Sequence, residues 1–243
     1  MQETYGQQFA AIYDDVFPPD PDLVGLLTQS QPTTALELGV GTGRIAVPLA
    51  HAGVAVTGVD LSPEMLERCR RGAQDAVVDV ELIQGSMTDV RLERRFDLVF
   101  SVCASLSMLL SRDEQRATFA TAREHLADDG RLVVETHNPE VVLGLHEGRR
   151  RASWFVPYPG RGRGLQTYSM LDEEAGLWQV SHLWHDCGRT IIGTETSLLT
   201  PVDVLTDMAA EVGLDVRSVT GDRAGGPVTA ESPTYTIEFE VAR

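Results

Sequence analysis

Glu37-Leu38-Gly39-Val40-Gly41-Thr42-Gly43-Arg44 sets an acid just before three glycines at every second position. A short apolar run precedes it and an apolar-periodic segment follows, so the pattern reads as strand, tight turn, helix. Glycine in such a turn lets the backbone take positive φ and approach a ligand with no Cβ in the way. About twenty residues on, Thr57-Gly58-Val59-Asp60 ends a second apolar run in another acid, the place where a nucleotide-binding αβ unit holds a ribose diol. The chemistry these residues suit is the binding of a nucleoside-like molecule. Their Gly-x-Gly-x-Gly spacing differs from the Gly-x-Gly-x-x-Gly of dinucleotide sites.

A second group of residues could handle a reaction partner. All three tryptophans (Trp154, Trp178, Trp184) and three of the six histidines (His146, His182, His185) fall between residues 146 and 185. Strict alternation over Leu177–Asp186 puts Trp178, Val180, His182 and Trp184 on one strand face. Such a face suits an amphipathic acceptor, and it equally suits packing against the main sheet or a second copy of the chain. His137 lies just past an apolar run, where a base would be useful. Arg149-Arg150-Arg151, with Arg161 and Arg163, could meet an anionic substrate such as a nucleotide-sugar diphosphate, or form a solvated loop.

These residues need a scaffold, and the pattern supplies one. The spacing predicts a helix over 5–17 that stops at Pro18-Pro19, and a short one over 20–27. Strands follow at 34–38, 54–60, 80–84, 96–102 and 131–136, with helices at 44–51, 63–72 and 112–126 between them. Ser62-Pro63 fits an N-cap followed by proline at the first helical position. Asp128-Asp129-Gly130 reads as a turn. Alternating strands and helices imply a parallel sheet covered on both faces. The alternation breaks after Pro139, where 165–171, 177–186 and 190–199 read as an antiparallel meander. A helix over 201–212 and strands over 214–220 and 235–242 close the chain. The expected architecture is α/β: a doubly wound, mostly parallel seven-stranded sheet with an antiparallel β insertion after the fifth strand. Residues 1–138 and 201–243 would form the ligand-binding domain, and 139–200 a substrate cap or an oligomer contact, such as a homodimer's.

Composition bounds the partners. The 243 residues carry a formal net charge of -16, which argues against nucleic acid, whose binding rests on neutralising phosphates. All 20 basic residues are arginine, so Schiff-base lysine chemistry and a phosphate-loop lysine are excluded. Lysine-free, Ala/Gly/Val-rich usage suggests a GC-rich genome such as an actinobacterium's. No apolar stretch reaches the ~18–20 residues of a membrane span. Met1-Gln2-Glu3-Thr4-Tyr5 shows no secretory pattern, and Cys69, Cys103 and Cys187 give no metal-ligand or disulfide spacing. A cytoplasmic protein without a metal, acting on a small molecule and not on nucleic acid or membrane, is the expectation.

The residues Glu37 to Gly43, with Asp60 and the following Leu-Ser-Pro-Glu-Met-Leu, resemble the first motifs of class I S-adenosylmethionine (SAM) methyltransferases. That resemblance implies SAM as cofactor and S-adenosylhomocysteine as product. It implies that Glu37, Gly39, Gly41, Gly43 and Arg44 lie against the methionine part and that Asp60 takes the ribose. Leu61 and Met65 would flank the adenine, and Ser86 stands where the family often has an acid for the adenine amino group, beside Met87. Cys103 would face the sulfonium. A narrower likeness joins Phe9-Ala10-Ala11-Ile12-Tyr13-Asp14, the Gly85-x-Met87-x-Asp89 motif and the inserted sheet. Actinobacterial natural-product methyltransferases share it, among them aminosugar N,N-dimethyltransferases and enzymes that methylate peptide N-termini. Tyr13 matches a tyrosine that closes over the site in those enzymes, whereas Ser107-Met108 replaces a histidine that the sugar enzymes carry. The expectation is methyl transfer to a small natural-product acceptor, nitrogen preferred over oxygen. Its catalytic candidates are His137 and Tyr13, and its acceptor-binding candidates are Tyr13, Met108, Trp154, Trp178, His182 and Trp184. The alternatives are a SAM-binding enzyme that does not methylate, such as a cyclase, and a non-catalytic SAM-binding partner protein.

Overall fold

The computed structural model describes residues 5–242. Met1–Thr4, and with them most of the N-terminal pattern read above, lie outside the described residues. Two short helices, α1 (Tyr5–Phe9) and α2 (Tyr13–Val16), and α3 (Pro21–Thr28) precede the first strand. Then follow β1 (Thr34–Leu38), α4 (Ala46–His51), β2 (Ala55–Asp60), α5 (Pro63–Asp75), β3 (Val80–Gln84) and β4 (Phe96–Ser101). A single 3-10 turn (Ser105–Met108) leads to α6 (Arg112–His125) and β5 (Leu126–His137). After α7 (Pro139–His146) come β6 (Arg151–Pro157), β7 (Arg163–Asp172), β8 (Leu177–Asp186) and β9 (Arg189–Leu198), and then α8 (Val202–Glu211), β10 (Leu214–Thr220) and β11 (Thr234–Val241).

Seven strands form one sheet in the order β10-β11-β5-β4-β1-β2-β3. The first five in sequence run parallel, and β11 pairs antiparallel with both β5 and β10. Strand order reverses between β1 and β4, and ligands in open α/β sheets bind beyond the carboxyl ends at such a reversal. The central strands are buried on both faces, as a sheet covered by helices on either side requires. One apolar layer, around Phe119, Leu205 and Phe239, seats α6 and α8. The other, around Leu23, Leu49 and Cys69, seats α3, α4 and α5.

Local chemistry fixes where these helices begin. Ser62 Oγ accepts from Met65 N at 3.1 Å, and Pro63 supplies the preset φ of a first helical residue. Asp20 and Asn138 cap α3 and α7 in the same manner, each ahead of a proline. Leu126 begins β5 earlier than expected: β4 pairs Phe96 with Leu126 and Leu98 with Arg131, so Asp128-Asp129-Gly130 is a bulge within the strand.

The insertion is an antiparallel sheet of four strands, β6-β7-β8-β9, not three. β6 was hidden because it is an edge strand whose residues are mostly exposed, so it lacks a clean apolar alternation. The N-terminal helix expected over 5–17 is broken at Ala10–Ile12, and its two pieces pack Phe9, Ile12 and Val16 against Leu165 and Trp184 of the inserted sheet. Among the described residues no helix is long and apolar enough to cross a membrane.

Candidate cofactor and acceptor site

A cavity of about 630 Å³ opens at the carboxyl ends of β1, β2 and β4, with α1 and α2 on one side and β9 across from the strand ends. At its floor the glycine turn leaves β1. Gly39 N and Val40 N both donate to Val59 O, at 2.9 Å each, which binds the turn to β2. Gly39 sits at φ +91°, where an L side chain is strained, and a Cβ there would come within 2.8 Å of Ser105 Cβ. Gly41, at φ +54°, has no protein atom within 4 Å of a Cβ position and lines the cavity, so its missing side chain leaves room for a ligand. Gly43 serves differently: its Cβ would meet Cys69 Sγ, so it lets α5 approach and does not line the cavity.

Two carboxyls flank this turn. Asp60 Oδ2 accepts from Gly41 N at 2.8 Å and Oδ1 accepts from Ser62 N at 2.9 Å, which fixes the carboxylate at the mouth of β2. Burial raises its pKa against the pull of those donors. Glu37 is 3% exposed, and its Oε2 has no hydrogen-bond partner among the described residues. Burial pushes the Glu37 carboxyl well above the ordinary range, and the neighbouring Arg44 opposes that shift. Arg44 donates to Pro18 O at 2.9 Å and to Cys103 Sγ, tying the turn to the chain after α2 and to the end of β4.

The end of β4 is bent. Cys103 and Ala104 take φ of +56° and +61°, two consecutive non-glycine residues in the left-handed region. Each costs on the order of 1–2 kcal/mol. A polar chain holds the bend: Cys103 N donates to Glu135 Oε1 at 3.2 Å, Glu135 pairs with Arg223, and Arg223 reaches Asp20 Oδ2 at 2.9 Å. The bend turns Cys103, Ser105 and Met108 onto the cavity. Burial pushes the Cys103 thiol up to about 12, so it stays protonated. It also raises Tyr13 above the usual phenol range.

Thirteen of the candidate cofactor, acceptor and catalytic residues line this cavity: Tyr13, Glu37, Gly39, Gly41, Arg44, Asp60, Leu61, Met65, Ser86, Met87, Cys103, Met108 and His137. Burial lowers the pKa of His137, and its ring meets Trp178 edge-on at 5.1 Å between centroids. Trp154, Trp178, His182 and Trp184 do not line the cavity. Trp184 packs under α1 and α2, while Trp178 and Trp154 pack with Val142, Leu171 and Leu199. The inward face of β8 was read correctly as a face, but its aromatics fill a core. The arginine run lies elsewhere: Arg149 pairs with Glu147 at 3.2 Å, Arg163 pairs with Asp186 at 2.8 Å, and neither lines the cavity.

Phe17, Glu195, Ser197 and Thr234 line the cavity without having been singled out. For Glu195 the sequence held a signal. Gly193, Glu195 and Ser197 alternate along one strand, so a carboxyl shares a face with positions that turn inward.

Residues 35–130 match the family model described as a methyltransferase domain. The chain is 28% identical over 228 residues to a cypemycin N-terminal methyltransferase from Streptomyces, covering 91% of this chain and 90% of the relative. It is 33% identical over 144 residues to a dTDP-3-amino-3,6-dideoxy-alpha-D-glucopyranose N,N-dimethyltransferase of Streptomyces fradiae, covering 55% of each. Several other matches likewise span about half of the relative's length. Among solved structures, the CcbJ methyltransferase of Streptomyces caelestis superposes with a TM-score of 0.86 at 28% identity, covering 99% of this chain and 98% of that one. The domain match begins in β1 and takes in the glycine turn and Asp60, and the superposition extends over the inserted sheet, so residues 35–130 are similar to a methyltransferase domain and the described chain shares the fold of a natural-product methyltransferase.

Proposed function

We propose that this chain transfers the methyl group of SAM to the nitrogen of a small natural-product acceptor. One observation carries the reading: a single cavity runs from Glu37, Gly41 and Asp60 at the strand ends to Tyr13, Met108 and His137 under the N-terminal helices and the inserted sheet. The residues at the first end fit the cofactor. Glu37 Oε2, buried and without a hydrogen-bond partner among the described residues, suits an ammonium; Gly41 leaves backbone open to a ligand; Asp60, though it accepts two backbone donors, keeps lone pairs for ribose hydroxyls. Bound SAM supplies a methyl group on a good leaving group. The protein's own task is then to align an acceptor and exclude water.

The second end is built for that task. Tyr13 and Phe17 close it from the N-terminal side, and residues 139–200 act as its cap through Glu195 and Ser197. A neutral amine attacks without prior proton loss, whereas a hydroxyl is helped by a base. His137, kept neutral by burial, can accept a hydrogen bond from the acceptor nitrogen through its unprotonated ring nitrogen. The cypemycin N-terminal methyltransferase and the aminosugar N,N-dimethyltransferase that this chain resembles support nitrogen.

Mass spectrometry of the full chain with SAM and a panel of amines and phenols tests this reading. Acceptor gaining one methyl group, with matching S-adenosylhomocysteine, is expected. Acceptor converted without S-adenosylhomocysteine would make it a non-methylating SAM enzyme.

A further inference from the structure

The acceptor end of the cavity carries a carboxylate that the catalytic cycle outlined above leaves unused. Glu195 projects from β9 into the cavity, its side chain 16% exposed. It lies close enough to act electrostatically on both Tyr13 and His137, and all three line the same cavity.

Its position is held from behind. His182 Nε2, on the neighbouring strand β8, lies 3.4 Å from Glu195 Oε1, and His182 Nδ1 lies 3.1 Å from Thr167 Oγ1 on β7. With the Thr167 hydroxyl donating to Nδ1, the ring carries its hydrogen on Nε2, aimed at Glu195. His182 is itself clamped edge-on by Phe9 at 5.6 Å between centroids. Three strands of the insertion thus cooperate to present one carboxylate. Glu195 Oε2 accepts no hydrogen bond among the described residues. A scaffold role would not require the carboxylate to face the cavity with an oxygen to spare.

Resting on the N-methylation reading, we propose that Glu195 selects the acceptor: it binds the arriving ammonium form of an aliphatic amine, whose proton leaves to solvent before the neutral nitrogen attacks, with His182 as its positioning residue and Phe17, Met108 and Leu109 receiving the apolar body. A cation meeting a partly buried carboxylate gains a charge-assisted hydrogen bond, which a hydroxyl or a carboxylate in the same place does not match. Arg149 and Arg163 lie away from this end, and Arg44 of the lining is turned to Pro18 O and Cys103 Sγ, which leaves a cation as the ligand that Glu195 favours.

The test uses the full chain loaded with S-adenosylhomocysteine and a pair of probes of equal shape, cyclohexylmethylamine and cyclohexylmethanol, in calorimetric and ligand-observed NMR titrations. Wild type is expected to prefer the amine by on the order of tenfold or more. Glu195→Gln should bring the two affinities within about twofold while leaving S-adenosylhomocysteine affinity and the melting temperature unchanged. His182→Leu should weaken the preference, and His182→Gln, which keeps a donor, should restore it. Equal binding of both probes to wild type, no binding of either at millimolar concentration, or an amine preference that survives in Glu195→Gln overturns the proposal. Methyl transfer to an amine acceptor by a wild type that binds the two probes equally would sink this inference alone. An amine preference with no methyl transfer to any nitrogen would sink the N-methylation reading and leave Glu195 as a cation site.

Discussion

Glu37 is the residue at which folding and binding pull hardest against each other. Nothing in the described protein satisfies its inner oxygen, and burial keeps the carboxyl protonated above the ordinary range near 4.5. A carboxyl whose pKa is raised by folding binds more protons folded than unfolded through that window. Stability of the ligand-free protein therefore declines as pH climbs from the ordinary value through the raised one. Glu37→Gln removes the titration and keeps the shape. The variant should melt with wild type near pH 4 and progressively above it toward pH 8, both without ligand. It should also bind SAM more weakly, by on the order of 10–100-fold, because a charge-assisted hydrogen bond to the ammonium is lost. Calorimetry in two buffers of different ionisation enthalpy adds a second reading: wild type releases protons as SAM binds, and the variant releases fewer. A melting difference that stays constant from pH 4 to 8 would show that Glu37 does not titrate in the fold.

At the scale of elements, the join between α1 and β9 decides whether the cavity has a wall. Phe9 is fully buried, and a Cβ on Gly193 would come within 2.0 Å of its ring. Gln8 Oε1 accepts from Thr194 N at 2.8 Å beside it. Gly193→Val therefore cannot keep α1 seated. It should cost roughly 1–3 kcal/mol of stability, the usual range for overpacking, and speed proteolytic cleavage within residues 5–17. SAM affinity should fall with it, since Gly6 and Gln7 line the cavity; cleavage at the wild-type rate would show that α1 does not depend on this seat. This join also marks where sequence reading ends. The glycine turn, Asp60 and the parallel strands were legible because each is a local pattern: a turn residue, a strand-ending acid, a buried run. The seat of Phe9 on Gly193 spans most of the chain, and no periodicity announces it. The tryptophans illustrate the same limit. Alternation placed Trp178, His182 and Trp184 on one face, yet what that face met depended on α1, α2 and α7, so a binding surface and a core looked alike. Glu195 carried a local signal in its alternation with Gly193 and Ser197, but that this face borders a cavity depends on how β9 meets the main sheet.

The whole molecule adds a field to these contacts. A net charge of -16 spread over 243 residues gives a negative potential at its surface, and the cavity's acceptor end carries Glu195, while Arg44 of the lining is engaged by Pro18 O and Cys103 Sγ. Such a field concentrates cations and speeds their encounter, and it weakens as salt shortens its reach. The Debye length falls from about 30 Å at 0.01 M ionic strength to about 8 Å at 0.15 M. For a cationic amine acceptor, kcat/KM should thus drop several-fold over that interval, with KM carrying the change and kcat nearly constant. A hydroxyl acceptor of the same shape should show little dependence. Glu195→Gln removes one charge among many, so it should lower kcat/KM for the amine at every salt concentration while keeping most of the slope. That separation distinguishes the local carboxylate from the global field: loss of the entire salt dependence in Glu195→Gln would mean that the single contact, not the molecule's charge, gathers the acceptor. A flat salt profile in wild type would mean that the acceptor arrives uncharged.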